Sequence, residues 1–264
     1  MKKGTLTVRI GLDDTDHPDF GCTTYSFDGL MSSLNEMRGL KIIERRLVRL
    51  WPYASRRTRG NGALSAIIEV PSNSKDNLLV NCKSWFDGLL SEIADYPVAE
   101  NNPSPALLVS FDATPSDWYW EAVRGEVNLD KRVKQVIDSD IFMLSHEDKW
   151  GVIGASAAIS WVPKGNHSWE LIGWREDEKI GTERRISKKS ILEMSSLFAD
   201  TFMNRDPTFD KGIISPSTPC PVLYGIRGAN KSAVESAHLW IQGVEGNERC
   251  FKWASHITLS LIHI

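Results

Sequence analysis

The chain opens on strict alternation. Leu6, Val8, Ile10 and Leu12 fall on one side and Thr5, Thr7, Arg9 and Gly11 on the other, the pattern of a strand with one buried face. An acidic turn follows directly with Asp13, Asp14 and Asp16. The period then changes: Phe27, Leu30, Met31 and Leu34 recur at helical spacing, which predicts a helix starting at Thr23 or Thr24. Residues 42–50 and 63–70 read as strands flanking a loop rich in arginine and glycine. Leu79, Trp85, Phe86, Leu89, Leu90 and Ile93 mark a helix over about Lys75–Ala94. Beyond it the pattern predicts a strand at Ala106–Phe111, a helix after Pro115 and an apolar stretch at Val152–Trp161. A strand at Trp169–Trp174, a helix from Ser187 to about Met203 and a strand at Val222–Ile226 follow. The tail Ile257–Ile264 is apolar and strand-like, an edge that a second copy or a partner would cover if nothing else did.

Strands and helices mixed in this way give an α+β or α/β chain, its second half ferredoxin-like. Tyr96–Pro105 holds three prolines and two adjacent asparagines, the composition of a linker. The expected domains are therefore 1–100 and 101–264.

Composition changes this picture little. Over 264 residues, 41% are hydrophobic and 25% charged, ordinary globular usage. A basic, apolar leader and a membrane-length apolar run are both absent, so the expectation is a cytoplasmic protein with no membrane partner. The four cysteines are scattered without zinc-ribbon spacing. A net charge of −3 does not mark the chain as a nucleic-acid binder. Between Lys41 and Gly62, however, seven cations stand against Glu44 alone, a local charge of +6, and six of the seven are arginine. That is either a solvated face or a phosphate-binding surface.

Three segments carry candidate chemistry. Asp13, Asp14 and Asp16 crowd the end of a strand, where their repulsion calls for a cation such as Mg2+ or for backbone donors. Gly21, Thr23 and Thr24 stand at a helix start, able to offer N–H groups and hydroxyls to a phosphate or simply to cap the helix. Arg56-Arg57-Thr58-Arg59-Gly60-Asn61-Gly62 combines bidentate donors with glycines that permit φ > 0 and close approach. Asn61-Gly62 alone would suit a hairpin turn. Together the three describe an Mg–ATP site of neither the Walker nor the protein-kinase pattern. Gly151 and Gly154 begin a small-residue stretch, and Glu170 follows on a strand. These are close-packing residues, or a cleft receiving a cationic substrate.

The segments Ile10–Tyr25, Arg46–Leu64, Asp117–Val127, Trp150–Ile159, Ser168–Arg175, Ile180–Arg185 and Pro221–Gly228 (IGLDDTDHPDFGCTTY, RLVRLWPYASRRTRGNGAL, DWYWEAVRGEV, WGVIGASAAI, SWELIGWR, IGTERR and PVLYGIRG) resemble the archaeal tRNA 2-agmatinylcytidine synthetases (TiaS). They keep that family's order across nearly the whole chain. The resemblance implies an atypical kinase domain followed by a ferredoxin-like domain. It implies ATP-dependent phosphorylation of the first anticodon cytidine of a minor isoleucine tRNA, and displacement of that phosphate by agmatine. By position, Asp13, Asp14 and Asp16 would hold magnesium and Thr23 would be autophosphorylated. Arg57, Arg59, Gly60, Asn61 and Gly62 would line the phosphate loop.

There are departures. The chain stops where an OB-fold would begin and has no CxxC pair for a zinc ribbon, so tRNA would be held by the basic stretch or by a separate partner. The family's Pro-His-Gly-Pro-Asp-Pro reads Pro216-Ser217-Thr218-Pro219-Cys220-Pro221, and an arginine usual before the glycine of the agmatine-side segment is Trp150. Two other readings stand beside the synthetase: a paralogue transferring phosphate to another RNA or small amine, and a nucleotide-binding or regulatory protein without turnover.

Overall fold

The computed structural model describes residues 4–58, 60–165, 167–206, 208–209, 211–216, 219–242, 245 and 253–259. The chain forms two compact units, residues 1–163 and 164–264.

In the first unit, β1 (Thr5–Asp13) leads through a loop to α1 (Thr23–Asn35), then β2 (Lys41–Arg49), β3 (Gly62–Pro71) and α2 (Lys75–Ala94). After β4 (Ala106–Ser110) come α3 (Asp117–Arg124), α4 (Leu129–Asp138), β5 (Phe142–Ser145) and α5 (Gly151–Ser160). The strands order as β5-β4-β1-β3-β2, every neighbouring pair antiparallel. Alternation along β1 works as the sequence suggests. Val8, Ile10 and Leu12 are wholly buried, on the side where α1 contributes Phe27, Leu30, Met31 and Leu34 to the core. The other face of β1 receives α5. A Cβ added to Gly11 would stand 2.5 Å from the Ala155 carbonyl oxygen, so only glycine lets the helix lie this close. Behind α5, Ala155 and Ile159 pack with Leu108, Trp118 and Val136. Arg132 of α4 is fully buried there. It donates to Ser156 Oγ at 2.9 Å and to Glu121, and it stacks on Trp118.

Tyr96–Pro105 does not divide the two units. It leads into β4, which pairs with β1 as far as Asp13 opposite Ala106. The segment is held by hydrogen bonds, Ser104 N–H to the Asp14 carbonyl among them, and such bonds separate a fixed loop from a flexible linker.

The second unit runs β6 (His167–Trp174), α6 (Lys188–Leu197), a two-residue hairpin of β7 (Arg205–Asp206) and β8 (Lys211–Gly212), β9 (Val222–Gly228), α7 (Lys231–His238) and β10 (Trp253–Leu259). Within this unit β6 lies between β10 and β9, antiparallel to both. That is the succession and order of a ferredoxin-like sheet, with the segment around Thr201–Asn204 bonded beside β9 in place of a full strand. The helix expected to reach Met203 ends at Leu197 for the same reason: Phe202 N–H bonds to the Arg227 carbonyl instead. Leu171, Leu223, Tyr224, Ile226, Met194 and Val234 form the core. Of the apolar tail, 257–259 belong to β10, and 260–264 lie outside the described residues. No helix among the described residues is long and apolar enough to cross a membrane.

Candidate functional site

β1 ends at Asp13, opposite Ala106, the first residue of β4, and the chain turns sharply there. Asp14 takes φ 60°, the left-handed region that aspartate tolerates better than most residues. The turn brings Asp13, Asp14 and Asp16 to one wall of a cleft of about 80 Å³. The same cleft is lined by Trp51, Arg56, Arg57, Thr58, Gly60, Asn61 and Gly62, by Glu126 after α3, and by Trp150, Ile153 and Gly154 at the α5 start.

The turn is tied down at several points. Thr58 Oγ1 donates to the Asp16 carbonyl at 3.2 Å, joining the acidic turn to the arginine loop. Asn61 Nδ2 donates to the Trp51 carbonyl at 2.7 Å, and Arg57 donates to the Pro52 carbonyl. Thr23 is buried outside the cleft. Its hydroxyl donates to Asp16 Oδ1 at 3.2 Å and accepts from the Thr15 N–H at 3.3 Å. Helix α1 starts at Thr23, as its spacing predicts, but the N-cap is Cys22, whose side chain makes no capping hydrogen bond. Thr24 does not line the cleft.

The glycines serve turn and packing roles. Gly62 has no positive φ. A Cβ on Gly60 would meet nothing within 4 Å, and Gly62 is a strand residue facing the Val48 carbonyl. Gly21 is the one that needs its freedom, with φ +65° and a virtual Cβ 3.1 Å from Tyr96 Oη. Gly154 makes a close approach to the protein itself: its virtual Cβ would lie 1.9 Å from Asp13 Oδ2. Gly151 likewise packs on the Ala106 nitrogen and the Asp13 carbonyl. Glu170 belongs to the second unit and lies outside this cleft. It is buried, with Oε2 3.7 Å from Arg227 Nε, so a cation already faces it. Arg59, Ser217 and Thr218 lie outside the described residues.

The electrostatics follow from the crowding. Burial, reinforced by the neighbouring Asp14 charge, pushes the Asp13 carboxyl well above the usual carboxylate range. Burial raises Asp14 to about 6, against the pull of Arg56, whose Nη2 stands 3.6 Å from Asp14 Oδ2. Carboxylates held together above their ordinary range fit a divalent cation, which would replace a proton as the neutralising charge. No three His, Cys, Asp or Glu side chains among the described residues close on one point as a complete cage.

Sequence reasoning includes Arg56 in the arginine–glycine segment of bidentate donors, although the family's phosphate loop begins by position at Arg57, and it does not find Trp51, Ser104 or Ile153. These come from three distant segments with no local signature.

Comparison with known proteins bears on the same residues. The family model described as the TiaS TCKD domain matches residues 9–147, and that of the TiaS FLD domain matches residues 149–260. The chain belongs to the TiaS family. The isoleucine-tRNA 2-agmatinylcytidine synthetase TiaS of Archaeoglobus fulgidus is 34% identical over 243 residues, covering 88% of this chain and 54% of that protein. TiaS of Methanocaldococcus jannaschii is 31% identical, over 89% of this chain and 56% of its own length. The chain thus spans about half the length of the TiaS proteins it matches. A crystal structure of TiaS in complex with an isoleucine tRNA and ATP superposes with a TM-score of 0.82 at 28% identity, covering 96% of this chain and 58% of that one. A complex of TiaS with the same tRNA, AMPCPP and agmatine gives 0.79 at the same identity, over 96% of this chain and 60% of that chain. The two TiaS domain models meet at residues 147 and 149, yet α5 packs within the first compact unit, against β1. A helix of the second TiaS sequence domain therefore closes the cleft of the first.

Proposed function

We propose that this chain supplies the ATP-dependent catalytic part of 2-agmatinylcytidine formation in the anticodon of an isoleucine tRNA, in the cytoplasm. The observation that carries the proposal is the cleft itself, three carboxylates at a strand end facing Arg56 and Arg57. Membership of the TiaS family supports the choice of reaction, and the complexes named for solved relatives support ATP, tRNA and agmatine as its ligands.

The cleft, about 80 Å³ and open to solvent, is smaller than the several hundred Å³ of a pocket that surrounds a whole ligand. The cleft therefore suits the phosphate end of a nucleotide, with the base at the rim. Asp13, Asp14 and Asp16 would hold Mg2+, which supplies charge neutralisation on the transferred phosphoryl group. Arg56 and Arg57 present N–H donors toward the same space and stabilise its equatorial oxygens. Thr58 and Asn61 fix the loop that carries them. Thr23, hydrogen-bonded to Asp16, is a candidate phosphoryl acceptor whose hydroxyl must turn out of its buried network to react. Gly151 and Gly154 act in this reading as the close-packed support of Asp13 rather than as substrate contacts.

The test is incubation of the protein with ATP, Mg2+, agmatine and isoleucine tRNA, followed by mass spectrometry of the anticodon fragment. A gain of the agmatine mass at the first anticodon cytidine is expected. ATP turnover with every tRNA left unmodified would reject the acceptor and retain the phosphoryl-transfer site.

A further inference from the structure

Arg56 is held from three directions. Its Nη2 donates to the Asn102 carbonyl at 2.6 Å and stands 3.6 Å from Asp14 Oδ2, while its guanidinium carbon lies 5.3 Å from the centre of the Trp150 ring. Its Nε–H is buried without a hydrogen-bond partner among the described residues. A long side chain with one bond and one looser charge contact keeps much rotational freedom. An indole face removes it, because the planar guanidinium is attracted to the ring quadrupole and stacks on it.

The ring and the carboxylate also share an anchor. Ser104 N–H donates to the Asp14 carbonyl at 3.1 Å, and Trp150 N–H donates to Ser104 Oγ at 3.1 Å. Gly151 N–H, one residue on, donates to the Ser104 carbonyl at 2.9 Å. Asp14 and Trp150 are therefore registered on one residue, with the guanidinium between them. Trp51, the other tryptophan of the cleft, instead packs edge-on against Tyr53.

We propose that Trp150 is a positioning residue: its indole face holds the Arg56 guanidinium over Asp14, keeping that cation aimed at the phosphates of the bound nucleotide. The proposal rests on the Mg–ATP reading above for its ligand and on the Trp150–Arg56–Asp14 geometry for its residues. Trp150 acts through Arg56 and does not itself touch the reacting atoms. A leucine at this position would still fill the end of the cleft but would leave the arginine free to swing.

The experiment measures Mg–ATP affinity by calorimetry for wild type, Trp150→Leu, Trp150→Phe and Arg56→Gln, and for Trp150→Leu combined with Arg56→Gln. Thermal unfolding checks that each is folded. Trp150→Leu is expected to weaken binding about five- to tenfold, the size of a partly desolvated cation–π contact. Trp150→Phe, which keeps a ring, recovers most of that loss. In the Arg56→Gln background Trp150→Leu adds less than about twofold, because the interaction it served is gone. An equal loss in both backgrounds would mean that Trp150 meets the ligand directly and would overturn the proposal. A second readout needs no nucleotide. The Arg56 Nε–Hε resonance, assigned by its absence in Arg56→Gln, shifts in Trp150→Leu when the ring current is removed. An unmoved resonance overturns the contact. If wild type binds no ATP, the functional reading fails, and the resonance still decides the clamp.

Discussion

Gly154→Ala is the sharpest single test of how the site is built. The added methyl would sit 1.9 Å from Asp13 Oδ2, 2.5 Å from its Cγ and 3.0 Å from Leu50 Cδ1. Non-bonded carbon and oxygen do not approach within about 3 Å, so the carboxylate must retreat by about 1 Å, the order of a van der Waals overlap removed. Asp13 has a short side chain, so this motion comes directly off the acid that faces the cleft. Alanine is otherwise favoured over glycine inside a helix by about 0.5–1 kcal/mol. Propensity and clash therefore act in opposite directions on stability, while the displacement acts on activity alone. A misplacement of about 1 Å in a catalytic group costs on the order of 100-fold in rate. The expected outcome is a melting temperature within a few degrees of wild type and ATP turnover reduced about 100-fold. Gly88 of α2 is the control, since a Cβ there meets nothing within 4 Å. Gly88→Ala should gain about 0.5 kcal/mol and keep full turnover. Wild-type turnover in a folded Gly154→Ala protein would refute the argument that α5 fixes Asp13, and unfolding of that variant would recast the glycine as a stability residue.

Two further outcomes follow from buried charge. Asp14 is raised by burial to about 6 from an ordinary 3.8, so the metal-free fold disfavours its ionised form. Above about pH 6 both folded and unfolded chains are ionised and the fold carries the whole penalty, whereas below about pH 4 neither is and the penalty vanishes. Asp14→Asn should therefore stabilise the metal-free protein at pH 7 by about 3 kcal/mol, with the gain fading between about pH 6 and 4, while abolishing ATP turnover. Chemical denaturation across that range, beside a turnover assay, measures both. Arg132→Ala removes the fully buried guanidinium that joins α3, α4 and α5. It should lower the unfolding free energy by about 2–4 kcal/mol, read as a fall in the urea midpoint at constant slope.

How much of this could be read in advance depended on whether the cause was local. The period of two in β1 and the crowding of Asp13, Asp14 and Asp16 are local facts, and they placed the strand and the acidic wall correctly. Helix α4 escaped notice because one of its two buried positions is Arg132, a charge that breaks the apolar stripe. The prolines and asparagines of 96–105 have linker composition, but Ser104 bonds to Asp14 and to the start of α5. No composition reveals such bonds. Close packing is one of the two readings that the spacing of Gly151 and Gly154 allows, and it is the one the fold realises, but a glycine spacing marks a close approach without saying to what. Arg56 and Trp150 stand more than half the first unit apart in sequence, a pairing that only the folded chain creates.

The pairing of β4 with β1 sets the limits within which this cleft is portable. A fragment cut after residue 100 would contain every aspartate and arginine of the phosphate site. It would also turn β1 into a bare edge, strip the α5 wall from Gly11 and leave Asp13 without its partner Ala106. Such an edge invites intermolecular strand addition. The smallest transplantable piece runs through α5 to about residue 163, so a helix from the second family domain must travel with the first.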